Sequence, residues 1–240
     1  MRPYFIIALS LGLALGTGGL RAETLPLPAN LIDVQSDAGG KLLFESEAHA
    51  AYMPLSINFL TQKTQSYCGV ASIVMVLNAL NVPAPTTPEY KPFHTFTQDN
   101  FLDEKTDLIR PRDLLAKQGM TLDQLGRLLA AQPVAVEVVH AADTALDQFR
   151  ARARDYLGRK DHFVVVNYLR KAIGQEKFGH ISPLAAYDAE ADRFLILDVA
   201  RYKYPPVWVT AADLFSAMNT TDSDNGDMTR GFVLVSKAGG

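Results

Sequence analysis

Apolar and polar positions alternate in two different rhythms along the chain. From Ser66 to Leu80 (SYCGVASIVMVLNAL) nearly every position is apolar. Such a stretch predicts a helix buried on all sides, at the centre of the fold. Asn81 and Pro83 stop it. Two amphipathic helices follow at 111–118 and 121–131, the second opened by Thr121 and Gln124 as a capping box. Beyond Pro133 the rhythm changes to short runs of branched and aromatic residues separated by turn signals. These predict strands over 133–139, 162–169, 180–187, 193–199 and 230–236. A helix over 143–157 interrupts the first two. Another follows Thr210, with Thr210 and Asp213 as its capping box. Residues 23–60 read as irregular because of Pro26, Pro28, Gly39, Gly40 and Pro54, and 82–93 as a Pro-rich loop. The order is a helical first half and a largely antiparallel second half. It predicts an α+β fold with segregated lobes and a cleft between them.

The first residues (MRPYFIIALSLGLALGTGGLRAET) change the picture. Arg2 precedes an apolar run from Phe5 to Gly16, and small residues continue to Ala22. That is the layout of a secretory signal peptide over 1–22, with an uncleaved anchor as the alternative. The run is shorter than the ~20 residues a spanning helix needs. The expectation is an exported, periplasmic or secreted protein with one catalytic domain over 23–240. The 240-residue chain has 23 basic and 26 acidic residues, a net charge of −3. Removing Arg2 and Arg21 leaves 21 against 26, a net charge of −5. That balance argues against a nucleic-acid partner or an anionic membrane surface.

Cys68 is the only cysteine, so no intramolecular disulfide can form. An unpaired thiol in an oxidising compartment calls for burial or function. Cys68 stands at the head of the predicted central helix, and two readings stay open there. It is a small buried hydrophobe, or a thiolate favoured by the positive end of the helix dipole.

A nucleophilic cysteine needs a base, a group orienting that base, and oxyanion donors. Of five histidines, His180 has the useful geometry. It starts a strand whose hairpin turn falls at 188–192, so position 180 faces 198 or 200 on the return. Asp198 then lies opposite or diagonally beside His180 on the same face. The other reading is a structural His–Asp contact. Gln62, six residues before Cys68, is a candidate oxyanion donor, with Gln65 as its rival. His49, His94, His140 and His162 show no close metal-ligand spacing, and no metal site is expected.

The segments TQKTQSYCGVASIVMVLNAL, FGHISPLAAYD and FLILDVARYKYPPVWV resemble the catalytic domain of phytochelatin synthases. More narrowly, they are similar to the short prokaryotic members of this papain-like cysteine-peptidase clan. The resemblance runs from about Leu55 to Lys237. It implies a papain-like fold, with Cys68 as nucleophile, His180 as general base and acid, Asp198 as its orienting group and Gln62 in the oxyanion hole. The family holds a γ-glutamylcysteinyl group in its cleft. The segment MNTTDSDNGDMTRGFVLVS resembles the corresponding loop, which makes Asp222 and Arg230 partners for the amino and carboxylate ends of that group. Arg170 is a further candidate for the carboxylate.

The implied reaction is cleavage of glutathione at its Cys–Gly amide, through a thioester on Cys68. Plant and yeast members carry a Cys-rich C-terminal extension, and none is expected for this chain. The resemblance to short members therefore implies transfer mainly to water, giving γ-Glu-Cys, and weakly to a second glutathione, giving a phytochelatin. No cofactor is expected; heavy-metal ions enter only as glutathione thiolates. Glutathione and its metal complexes are the expected partners, with a homodimer left open. Two other functions compete: a papain-like peptidase acting on other peptides, and a non-catalytic protein binding glutathione or metal thiolates.

Overall fold

The computed structural model describes residues 24–239. The expected signal segment lies outside the described residues. Fifteen elements follow in chain order: β1 (Ile32–Asp33), α1 (Asp37–Glu45), α2 (Tyr52–Ile57), α3 (Cys68–Ala79), α4 (Glu104–Asp107), α5 (Arg112–Gln118), α6 (Leu122–Ala130), β2 (Val134–His140), α7 (Leu146–Leu157), β3 (His162–Leu169), β4 (Gly179–Asp188), β5 (Arg193–Ile196), β6 (Val207–Thr210), α8 (Ala211–Met218) and β7 (Gly231–Lys237). The strands form one antiparallel sheet in the order β1-β6-β5-β4-β3-β7-β2. β4, which carries His180, is the middle strand.

Helices cover both faces of this sheet. Val138 and Val139 point to opposite faces, and Val139 pairs with Phe232. α6 lies on the Val138 side, where Gly126 has a reason to be glycine. A Cβ there would come within 2.2 Å of Val138 Cγ2. α7 lies on the other side. Its Phe149 ring sits 5.1 Å from both Phe194 and Phe232, and it stacks on Phe215 of α8. The α+β class therefore stands, but the division into two lobes is incomplete. β1 comes from the first half of the chain and pairs with β6 at the sheet edge, while α7 and α8 come from the second half.

Two further expectations are corrected. Residues 23–60 are not irregular throughout: they hold β1, α1 and α2. α1 forms despite Gly39 and Gly40. The Ser36 side chain caps Gly39 N–H at 3.0 Å, and a Cβ at position 39 would collide with the Asp33 carbonyl. Gly39 is demanded by tertiary contact, and its carbonyl also receives the buried Trp208 indole N–H at 3.0 Å. The second correction is β6, a four-residue strand that is not among the predicted ones. The capping box at Thr121 and Gln124 is complete. At α8 only half forms: Thr210 accepts from Asp213 N–H, while the Asp213 carboxylate accepts from Asn30.

α3 is the central helix. Eleven of its twelve residues are buried, all but Asn78, which is why its sequence shows no polar face. It docks on β4 through Ser72, whose hydroxyl reaches its own helix at Cys68 O (2.8 Å) and the strand at Ile181 O (3.2 Å). That single side chain ties the first turn of α3 to the residue after His180. Among the described residues, no helix is long and apolar enough to cross a membrane.

Candidate active site

Cys68 is the first residue of α3. The leading N–H groups of a helix have no intrahelical acceptors and carry partial positive charge. The segment before α6 presses on this first turn. Met120 Sδ would lie 2.5 Å from a Cβ at position 69, so Gly69 lets Met120 close over the helix start.

His180 faces the Cys68 thiol across the α3–β4 contact. Its Nε2 lies 2.9 Å from Asp198 Oδ1 and 3.0 Å from Ser182 Oγ. Nε2 is thus committed, and Nδ1 is left for the sulfur. The hairpin register accounts for this. Leu184 pairs with Ile196, which brings Asp198 level with Ser182 and diagonal to His180, one of the two arrangements expected. Leu197 N–H still bonds Pro183 O at 3.0 Å, so the alignment persists past the end of β5.

Asp198 is fully buried and densely held. Its Oδ1 lies 2.9 Å from His180 Nε2 and accepts from Arg170 Nη2 at 2.8 Å and from Ala200 N–H at 2.8 Å. Its Oδ2 lies 2.7 Å from Arg170 Nη1, a charge contact off the axis of a hydrogen bond. Burial alone would raise this carboxyl. The charges and hydrogen bonds of His180 and Arg170 outweigh it and hold Asp198 well below the usual carboxylate range.

The same competition sets the other two groups. Burial pushes the Cys68 thiol up. A hydrogen bond and charge from His180, the Ile181 N–H and the charge of Arg170 more than reverse this, so the thiol is lowered. Burial and the Arg170 charge push His180 down. The Asp198 carboxylate and the sulfur overcome them, and His180 is raised. Both shifts favour a thiolate–imidazolium pair, an activated nucleophile beside a charged acid.

Arg170 takes a different place from the one expected. It is buried, its guanidinium is divided between Asp198 and Gln175 Oε1, and it lies 5.2 Å from the Tyr204 ring centre. Its charge is matched by the Asp198 carboxylate and not left for a ligand. Gln62 is buried, with its backbone N–H on Val199 O. Its side-chain Nε2 donates to Thr64 O at 2.7 Å and to Tyr202 Oη at 3.0 Å. Asp222 and Arg230 stand together on the loop before β7, 3.5 Å apart, with side chains only 13% and 11% exposed. Arg230 Nη1 is anchored by Thr220 Oγ1 and Thr221 O. A Cβ on Gly179 would come within 3.2 Å of Arg230 Nε, so glycine before His180 makes room for that guanidinium.

Cys68, His180, Gln62, Asp222, Arg230 and the edge of Arg170 line one cleft of about 500 Å³. Gln65 lines it too. Asp198 lies behind His180, out of the cleft. Four residues here were missed by sequence reasoning. Ser182 was legible, since it lies two positions after His180 and so shares its face. Tyr202 and Arg110 carry no local signal. Phe178, 75% exposed at the cleft rim, holds a φ of +87°, strained backbone next to the site that no sequence pattern announced. The remaining histidines each contact a backbone carbonyl through Nδ1, and among the described residues no group of three or more His, Cys, Asp or Glu could hold a metal ion.

A family model described as phytochelatin synthase matches residues 22–232. Glutathione gamma-glutamylcysteinyltransferase 3 of Lotus japonicus is 33% identical over 93% of this chain, and enzyme 1 of Arabidopsis thaliana is 33% identical over 91%. The glutathione gamma-glutamylcysteinyltransferase of Schizosaccharomyces pombe is 28% identical over 77%. The matched regions make up 46%, 44% and 43% of those relatives, so the chain spans under half of their length. With its residues 22–232 matched, the chain belongs to the phytochelatin synthase family.

Proposed function

We propose that this protein cleaves glutathione at the Cys–Gly amide by acyl transfer through Cys68. The observation that carries the reading is the buried chain of Cys68, His180 and Asp198, opening into a cleft that also holds the Asp222–Arg230 pair. The helix-head cysteine, strand histidine and following carboxylate match a papain-like arrangement. A γ-glutamyl end carries one ammonium and one α-carboxylate. Asp222 suits the first and Arg230 the second.

The Cys68 thiolate attacks the cysteinyl carbonyl carbon. The Cys68 backbone N–H and the Gln62 amide stabilise the oxyanion. Gln62 becomes free to do so when Tyr202, 46% exposed, yields its place on Nε2. The C–N bond breaks as imidazolium His180 gives its proton to the departing glycine amine. A thioester remains on Cys68. Neutral His180 then takes a proton from water, whose oxygen attacks the thioester. γ-Glu-Cys leaves, and the thiolate–imidazolium pair returns. A second glutathione amine in place of water gives a phytochelatin. The resemblance to short prokaryotic members supports water as the main acceptor. Metal ions take part as thiolates of the substrate. The apolar segment before residue 23 supports export.

The test is to incubate the protein with reduced glutathione, with and without Cd²⁺, and to identify products by mass spectrometry. Glycine and γ-Glu-Cys are expected. Dominant (γ-Glu-Cys)₂-Gly would replace hydrolysis by synthesis. Cleavage of unrelated peptides with glutathione untouched would mark a general peptidase. Binding of glutathione without any turnover would mark a non-catalytic protein.

A further inference from the structure

We infer that Arg110, which lines the same cleft as Asp222 and Arg230, binds the glycine carboxylate of the substrate. The inference rests on the reading of the reaction just given.

Six basic residues line the cleft: Arg110, Lys117, Arg170, Lys177, Lys203 and Arg230. Three have their charge matched by a carboxylate. Arg170 is paired with Asp198, Lys203 with Glu176 at 3.0 Å, and Arg230 with Asp222. Among the described residues Arg110, Lys117 and Lys177 form no ion pair. The two lysines are exposed, and nothing holds their ammonium groups. Arg110 differs. It is half-buried, and its guanidinium is fixed by two neutral acceptors. Nε donates to Gly119 O at 2.8 Å and Nη2 to Gln118 Oε1 at 3.1 Å. Neutral acceptors orient the fork without cancelling its charge. What remains is a preset, uncompensated cation facing a polar cleft, the arrangement that receives a carboxylate at low entropic cost.

Its position suits the leaving end of glutathione. Gly119, whose carbonyl holds Arg110, has a φ of +71°, which favours glycine. A Cβ there would come within 3.2 Å of Ser66 O, two residues before Cys68. Arg110 is thus braced against the chain that enters the nucleophile helix. The Asp222–Arg230 pair is braced against Gly179, before His180. Cys68 and His180 line the same cleft. A substrate whose γ-glutamyl end sits on Asp222 and Arg230, with its cysteinyl carbonyl at Cys68, sends its glycine toward Arg110. Glutathione has two carboxylates, and the cleft then offers one guanidinium for each.

The test compares glutathione with its C-terminal glycine amide, which lacks only that carboxylate. One charge-assisted hydrogen-bonded pair corresponds to roughly a ten- to hundred-fold preference. The wild-type protein is expected to favour glutathione by that factor in kcat/KM, mainly through KM. Arg110→Gln is expected to bring the ratio close to one, and Arg110→Lys to restore part of it. Equal losses on both substrates in Arg110→Gln, or no preference in the wild type, overturn the inference while leaving glutathione cleavage intact. Binding to Cys68→Ala protein separates the two readings. If the wild type turns over neither compound, but Cys68→Ala binds glutathione more tightly than the amide and Arg110→Gln on that background abolishes the difference, the carboxylate site stands and the cleavage reading falls. If neither compound binds, both fall.

Discussion

Asp198 Oδ1 lies 2.9 Å from His180 Nε2 and accepts a hydrogen bond from Arg170 Nη2 at 2.8 Å. One carboxylate oxygen therefore joins the imidazole to a buried guanidinium. Arg170 keeps Asp198 ionised in a site where burial would otherwise protonate it, and an ionised Asp198 is what sustains imidazolium His180. Breaking a buried pair from one side costs about 3–5 kcal/mol. Arg170→Met is expected to lower stability by about that much in urea unfolding, and to lower kcat as well. Wild-type stability in this variant would show that the pair carries no such weight.

The pH dependence follows from two shifts of opposite effect. The thiolate–imidazolium pair forms as pH rises through the lowered Cys68 value, and it is lost as pH rises through the raised His180 value. Activity should form a bell, with both limbs belonging to the coupled pair. Its acid limb lies below the ordinary thiol value and its alkaline limb above the ordinary histidine value of about 6.5. Thiolate absorbance in the ultraviolet should persist below the ordinary thiol range and fall in His180→Ala. Thiolate appearing only near the ordinary thiol range would contradict the charge arrangement.

Gln62 spends both amide hydrogens before substrate arrives, on Thr64 O and Tyr202 Oη. Removing an oxyanion donor lowers kcat by roughly 10²–10³, and this is expected of Gln62→Ala. Tyr202→Phe frees one donor and should leave kcat at or above the wild-type value. A loss in Tyr202→Phe as large as in Gln62→Ala would show that Tyr202 supports Gln62 and does not yield to substrate.

His140 sits near the Arg230 loop. Its Nδ1 faces Thr229 O and its Nε2 lies 3.0 Å from Asp123 Oδ1. Both partners only accept, so the ring satisfies both when doubly protonated. Burial lowers its pKa, and the Thr229 carbonyl and Asp123 raise it further than burial lowers it. The stabilisation is therefore full below about pH 6.5 and fades as pH rises through the raised value. Asp123 is 38% exposed, which limits the effect to ~1 kcal/mol or less. His140→Gln should lower Tm at pH 5.5 and converge with wild type at pH 9. A Tm difference that grows with pH would reverse the assignment.

Much of the site was legible where local pattern and site coincide. The unbroken apolar run placed Cys68 at the head of a central helix, and strand alternation with the turn at 188–192 brought Asp198 beside His180. What remained hidden depends on contacts between distant segments. The Arg170–Asp198 pair requires the register of β4 with both β3 and the chain after β5. Helix α1 was obscured by Gly39, whose presence is dictated by Asp33 and Trp208 and not by local propensity. Arg110 became visible only once Gly119 and Ser66 were brought into contact.

The central claim is that Cys68 carries the acyl group. The direct measurement is intact-protein mass spectrometry after rapid mixing with glutathione and acid quench. The account predicts a mass gain of one γ-glutamylcysteinyl group, mapped to the Cys68 peptide, labile to hydroxylamine and absent in Cys68→Ala. Glycine released by Cys68→Ala at the wild-type rate, with no such adduct on the wild type, would contradict it.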